Sequence, residues 1–149
     1  MMSSVSEIQV SYINKIKSKK THKITCSSDI AELLFDTWNK NTIELHESFK
    51  VVLLNNSNTV KGIFEMSSGG ITGTLVDVRI LFAVALKTLS TGIILTHNHP
   101  SGTLKPSQSD ISLTNKIKRA SELLDIKLLD HLIITPNQEY YSFADEGIL

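Results

Sequence analysis

The stretch GIILTHNHPSGTLKPSQSD, residues 92–110, decides how this chain is organised. Its first five residues, 92–96, form a short apolar run that is typical of a strand in the middle of a sheet. Pro100 and Gly102 then force the chain to turn, and a helical pattern extends from about Ser107 to Leu124. A buried strand, a turn and a helix in this order indicate an α/β domain.

Further elements are predicted on both sides of this stretch, and together they predict a single domain in which helices flank a mixed central sheet. The other expected elements are a helix at 27–39, strands at 48–56 and 59–67, a helix at 78–90, and strands at 126–135 and 139–143. The first helix is expected to bury Ile30, Leu33, Leu34 and Trp38. The helix after Ser107 is expected to bury Ile111, Ile117, Ala120, Leu123 and Leu124.

The N-terminal part, residues 1–40, is predicted to extend the same domain with strands and the first helix. EIQVSYI (7–13) alternates between apolar and polar residues as a half-buried strand does, and HKITC (22–26) is a second candidate strand. No repeat or low-complexity linker separates this part from the rest of the chain.

Composition restricts the classes of protein to consider. The chain has 149 residues, of which 41% are hydrophobic and 20% charged, as expected for one globular domain. Fifteen basic and fifteen acidic residues cancel, so no basic excess points to nucleic acid. Cys26 is the only cysteine, which excludes an intramolecular disulfide and a cysteine-rich zinc site. Without a signal-peptide core or a run of 18 apolar residues, a cytoplasmic protein with no membrane partner is expected.

Three side chains in the opening stretch suit one divalent metal ion. His97 and His99 lie two positions apart at the end of a strand, where alternation sends both side chains to one side. Asp110 lies in the first turn of the following helix and can face back onto them. Two histidines and one aspartate leave a fourth position for water, as in catalytic zinc centres. Alternatively, Ser107-x-x-Asp110 is a capping box that only stabilises the start of the helix.

Amide hydrolysis at such a centre also needs a group that moves a proton, and a nearby carboxylate is the usual choice. Two upstream candidates stand out, Glu47 before the strand at 48–56 and Glu65 inside the strand at 59–67. Their positions alone do not decide between them. Asp130–His131 is interpreted as a buried, hydrogen-bonded structural pair in preference to support for a metal ligand.

The stretch HNHPSGTLKPSQSD matches H-x-H-x7-S-x2-D, and so the chain resembles the JAB/MPN family of zinc metalloproteases, whose signature is called JAMM. The segments ILTHNHPSG and, later in the chain, LLDHLII are similar to sequences of the RadC branch of that family. The resemblance spans roughly residues 41–149 and implies a layout like that of cytidine deaminases. It also implies a zinc-dependent peptidase or isopeptidase with one zinc ion per chain, acting on a peptide or protein.

The resemblance also implies roles for individual residues. His97, His99 and Asp110 match the zinc ligands, and Glu47 matches the catalytic glutamate, which favours it over Glu65. Ser107 matches the serine whose hydroxyl stabilises the oxyanion that forms on the attacked carbonyl.

Two other functions are compatible with the same resemblance. One is a non-catalytic interaction module of the same fold. The other is a DNA-associated protein of the RadC type, although the neutral net charge gives it no electrostatic support. Longer RadC proteins resemble helix-hairpin-helix proteins at their N-terminus, whereas the first 40 residues here look strand-like. Base deamination would need H-x-E and P-C-x-x-C, and the chain has neither. The substrate and the oligomeric state are left open.

Overall fold

The centre of the structure is a five-stranded mixed sheet whose strands follow the order β2-β1-β3-β4-β5. The computed structural model describes residues 4–9, 11–14, 21–69 and 75–149. Its elements are α1 (Ser27–Thr37), β1 (Ser48–Leu54), β2 (Val60–Ser68), α2 (Val78–Lys87), β3 (Gly92–Asn98), α3 (Gln108–Leu123), β4 (Lys127–Ile134) and β5 (Tyr140–Ser142). β3 and β4 run parallel, and the other neighbouring pairs are antiparallel. The predicted single α/β domain with a mixed sheet is confirmed.

The strand β3 lies in the middle of the sheet, and all of its residues are buried. Because side chains alternate along a strand, β3 supplies both faces of the sheet. Ile94 packs with Ile30 and Leu34 of α1 on one face. Ile93 and Leu95 pack on the other face, against apolar residues of α2 and α3. The sheet is therefore covered on both sides, with α1 as part of the same core.

Two predictions for the N-terminal part are wrong where the structure describes it. Residues 4–9 and 11–14 form no strand, and residue 10 of the expected strand 7–13 lies outside the described residues. Val5, Ile8 and Ile13 are exposed. In 22–26 only Lys23 pairs, through an isolated bridge to Thr59. An alternating pattern becomes a strand only where a sheet edge accepts its hydrogen bonds.

The buried face of α3 also differs from the prediction. Ile117 is fully buried as expected, but Leu123 is 86% exposed and Leu124 is 41% exposed. Thr114 and Ser121 are buried instead. Residues 114, 117 and 121 follow helical spacing, so two hydroxyl side chains occupy the stripe that faces the sheet. Both hydroxyls are hydrogen-bonded, which makes their burial tolerable.

Within the described residues, no helix combines the length and the apolar character needed to cross a membrane.

Candidate metal centre

The C-terminal end of β3 and the residue that follows it present two imidazoles on one face of the sheet. The strand extends through Asn98, two residues further than the expected end at 96, so His97 lies inside it. His97 pairs with Phe49 of β1 and with Ile133 of β4. Its ring stacks on that of Phe49, with centroids 6.0 Å apart. His99 follows at the same side, and both histidines are buried.

Asp110 completes a cluster of three potential ligands with His97 and His99, and their ligand atoms all lie within 4.8 Å of one another. The two Nε2 atoms of His97 and His99 are 3.0 Å apart. The carboxylate oxygens of Asp110 lie 3.3 Å from Nε2 of His97 and 3.6 Å from Nε2 of His99. Ligands 2.0–2.2 Å from a tetrahedral zinc ion would be about 3.3–3.6 Å apart. The two distances to Asp110, one from each carboxylate oxygen, lie in this range, and the two Nε2 atoms are slightly closer together than it. The three residues could hold one such ion after a small separation of the imidazoles.

A backbone hydrogen bond determines which nitrogen of His99 can bind a metal. Nδ1 of His99 lies 2.6 Å from the carbonyl oxygen of Thr103. A carbonyl only accepts, so Nδ1 carries a proton and the lone pair of a neutral ring is on Nε2. The turn that brings Thr103 back depends on Gly102, whose φ of +82° is unfavourable for other residues. Gly102 donates its N–H to the carbonyl of His99, at 3.0 Å.

A chain of hydrogen-bonded side chains likewise determines which nitrogen of His97 can bind a metal. Oγ1 of Thr114 donates its single proton to the carbonyl oxygen of Asp110, at 2.6 Å. Oγ1 of Thr114 also lies 2.6 Å from Nδ1 of His131 and, having donated its only proton, accepts the proton of that nitrogen. Nε2 of His131 then accepts from Nδ1 of His97, at 2.8 Å. The lone pair of His97 is left on Nε2, towards Asp110 and His99.

Asp130 and His131 are both buried and hydrogen-bonded, as the interpretation as a structural pair expects, but their side chains have different partners. Asp130 is structural: its carboxylate accepts from the Ser142 hydroxyl at 2.6 Å and from the Ala144 N–H at 3.0 Å. His131 instead points to His97, and only its backbone N–H contacts the Asp130 carboxylate. Sequence analysis also missed Thr114, which orients His131. The signal in the sequence was a polar residue, Thr114, at helical spacing from the buried Ile117.

The charges in the cluster favour a cation. Two lone pairs and a carboxylate converge, and such a group is stable only with a metal ion or protons among them. Burial opposes the charge on Asp110, but hydrogen bonds from His97 and His99 outweigh it and hold the Asp110 pKa well below its usual range. Burial likewise opposes protonation of His99, yet Asp110, the Thr103 carbonyl and the charge of Glu47 raise its pKa overall. Burial, with the neighbouring His97, lowers the pKa of His131.

Ser107 and Asp110 also form the capping box that was the alternative interpretation. The backbone N–H of Ser107 donates to the Asp110 carboxylate at 2.7 Å, and the N–H of Asp110 donates to the Ser107 hydroxyl at 3.1 Å. The cap orients the Asp110 carboxylate towards the histidines, so the two interpretations are compatible. The Ser107 hydroxyl accepts in this cap, which leaves its own proton available to a further acceptor.

The two glutamates lie on opposite faces of the sheet. Glu47 directly precedes β1, and continuing the β1–β3 register from Phe49 and His97 by two residues places it opposite His99. Glu65 pairs with Lys50, whose ammonium lies over the ring of Trp38 on the face covered by α1. Glu47 is thus brought to the histidine side, and Glu65 is not.

Comparison with known proteins agrees with this geometry. The sequence model of the RadC-like JAB domain matches residues 24–148. A UPF0758 protein of Flavobacterium johnsoniae is 59% identical over 103 residues, which are 69% of this chain and 44% of that protein. A UPF0758 protein of Porphyromonas gingivalis is 47% identical over 103 residues, 69% of this chain and 45% of the relative.

A UPF0758 protein of Clostridium tetani is 38% identical over 135 residues, which are 89% of this chain and 57% of the relative. The chain thus spans about half the length of the curated relatives that it matches. The family match covers every helix and strand from α1 to β5 as well as the three converging side chains. The chain belongs to the RadC-like JAB domain family.

Proposed function

We propose that this chain is a zinc-dependent metallopeptidase or isopeptidase that hydrolyses an amide bond of a peptide or protein. The observation that carries the proposal is the convergence of His97, His99 and Asp110, whose ligand atoms lie close to the spacing of tetrahedral zinc ligands. The hydrogen bonds that His99 donates to the Thr103 carbonyl and His97 donates to His131 support it, because they leave both imidazole lone pairs directed into the cluster. Three protein ligands with a fourth position left over are characteristic of a catalytic zinc site.

The proposed reaction divides the work between the metal and two side chains. A bound zinc ion would lower the pKa of a water molecule and polarise the substrate carbonyl. The Glu47 carboxylate takes a proton from the attacking water and passes it to the nitrogen that leaves as the carbon–nitrogen bond breaks. The Ser107 hydroxyl donates a hydrogen bond to the oxyanion that develops on the attacked carbonyl. Both assignments agree with the positions of these residues on the histidine side of the sheet.

Metal content is the first test of the proposal. We expect about one zinc ion per wild-type chain by elemental analysis, and little or none in the double variant His97→Ala/His99→Ala. A wild-type chain that takes up no zinc, while the variant folds equally well, would make the histidine turn a structural feature only. The function as an interaction module of the same fold would then be preferred.

The glutamates provide a matched pair for the second test. Glu47→Gln keeps the size of the side chain but removes the proton carrier, so we expect kcat to fall by about 10²–10⁴-fold with zinc retained. Glu65→Gln makes the same chemical change on the other face and should stay within about twofold of wild type. Cleavage of a peptide library, analysed by mass spectrometry, supplies the substrate for both. Full activity in Glu47→Gln would refute the proposed role.

A further inference from the structure

The residue between the two histidines of the motif has no role in the function proposed so far. Asn98 is fully buried, and strand alternation directs its side chain to the face opposite His97 and His99. A buried side-chain amide has to satisfy one acceptor and two donor groups. Its hydrogen-bond partners therefore indicate what it does.

All three hydrogen-bonding groups of Asn98 are used on one short segment of backbone. Its Oδ1 accepts the N–H of Ser48 at 2.7 Å. Its Nδ2 donates to the carbonyl oxygen of Ile43 at 2.8 Å and to that of His46 at 2.9 Å. His46 and Ser48 are the immediate neighbours of Glu47. The side chain thus holds the backbone on both sides of the glutamate.

We propose that Asn98 is a positioning residue for Glu47: it locks the 43–48 segment onto the end of β3, so that the Glu47 carboxylate stays on the metal-ligand face. The catalytic part of this inference rests on the proposed function. A backbone hydrogen bond also holds Glu47 itself, because its carbonyl accepts the N–H of Gly69 at 2.8 Å. With its backbone held on both sides, Glu47 keeps the side of the sheet that the β1–β3 register gives it.

The side chains at the end of β3 have separate hydrogen-bond partners, so the role of Asn98 can be tested independently of metal binding. His97 is oriented by His131 and His99 by Thr103, and neither contact involves Asn98. Loss of the amide should therefore loosen Glu47 without releasing the metal. Only an amide suits the position, since a carboxylate keeps the acceptor for Ser48 but replaces the NH2 group and its two donors with one oxygen that faces two carbonyls.

The experiment compares Asn98→Ala and Asn98→Asp with the control Thr96→Val, on the full chain loaded with zinc. Thr96 lies two residues earlier on the same face of β3 and is equally buried, but its hydroxyl has no hydrogen-bond partner among the described residues. Four quantities are measured: zinc content, the exchange rate of the Ser48 amide proton, and kcat and KM on a peptide that wild type cleaves. Asn98→Asp preserves the shape of the side chain and the acceptor for Ser48 and removes the two donors. Where Asn98→Ala does not fold, the zinc content, kcat and KM of Asn98→Asp decide the test.

We expect both Asn98 variants to retain about one zinc per chain. We expect Asn98→Ala, which removes the acceptor for the Ser48 N–H, to exchange the Ser48 amide at least about tenfold faster than Thr96→Val. We also expect kcat to fall by about tenfold or more while KM stays within about twofold, because binding contacts are intact but the proton carrier is misplaced. A smaller folded fraction would also lower the apparent kcat at constant KM, so kcat is calculated per folded, zinc-loaded chain for each variant.

Three results would overturn the proposal: Ser48 exchange in Asn98→Ala equal to that in Thr96→Val, a kcat of the Asn98 variants equal to that of Thr96→Val, or zinc loss that parallels the loss of activity. A wild-type chain that binds zinc but cleaves nothing refutes the proposed function separately. In that case the exchange rates still decide whether Asn98 holds the segment around Glu47.

Discussion

Among residues outside the ligand cluster, His131 is expected to have the largest effect on the affinity for zinc. Its Nε2 accepts the Nδ1 proton of His97, and its ring stacks on Phe143 with centroids 4.6 Å apart. We expect His131→Phe, which keeps the ring but removes the acceptor, to weaken zinc binding by about 10–100-fold. Chelator competition measures this affinity. Thr96→Val is the control, and equal affinities in the two variants would show that His131 is only a packing residue.

The affinity for zinc should also depend on pH through His99. Its pKa is raised above the ordinary value of 6.5, so in the metal-free chain a proton on His99 stabilises the fold at low pH. That contribution is lost as the pH rises through the folded pKa, and zinc binds the deprotonated ring. We expect apparent zinc affinity to fall by about tenfold per pH unit below the raised pKa. Titrations from about pH 5.5 to 8 measure it, and a flat profile would contradict it.

The predictability of the site differs from residue to residue for a physical reason. The convergence of His97, His99 and Asp110 follows from local rules, namely strand alternation, a turn and the start of a helix. His131 and Thr114 act through contacts between elements, and His131 lies 34 positions from His97. An Asp-His pair in an apolar strand looks the same whether it supports a ligand or only the core. Asn98 was overlooked because alternation removes it from the cluster.

At the scale of elements, β3 carries different chemistry on its two faces, and one of its buried groups is unpaired. Thr96 is fully buried, and its Oγ1 has no hydrogen-bond partner among the described residues. Thr96→Val keeps the shape and removes the unpaired hydroxyl, so we expect the free energy of unfolding to stay equal or rise by up to about 1 kcal/mol. Urea unfolding measures it, and a loss of more than about 1 kcal/mol would indicate a partner for the hydroxyl.

The elements that the sequence predicts well are those whose hydrophobic pattern matches their burial. The stripe of α1 is one example, since Ile30 and Leu34 are fully buried as expected. α3 is the counterexample, because its buried stripe includes Thr114, whose hydroxyl is needed by His131. Hydrophobicity alone shifted the expected face towards Leu123. The strand expected at 7–13 failed for another reason: pairing depends on a neighbour that its own residues do not reveal.

At the scale of the whole molecule, the core is complete without the metal. Buried apolar clusters cover both faces of the sheet, and the three potential ligands lie at the end of β3 and the start of α3. Small zinc-dependent domains differ, because their few apolar residues cannot maintain the fold when the ion is removed. Removal of metal from this chain should therefore empty a site in a fold that persists.

Metal removal gives a test of this arrangement in one measurement. After treatment with a chelator we expect a cooperative thermal transition, and zinc at about 100-fold above its Kd should add about 2.7 kcal/mol of stability. For a chain of this size that raises Tm by about 5–10 °C. The double variant His97→Ala/His99→Ala should show no zinc-dependent shift, since its stability no longer depends on a bound ion. Loss of the transition in the metal-free wild type would mean that the ion is structural, and a shift of equal size in the variant would place zinc elsewhere.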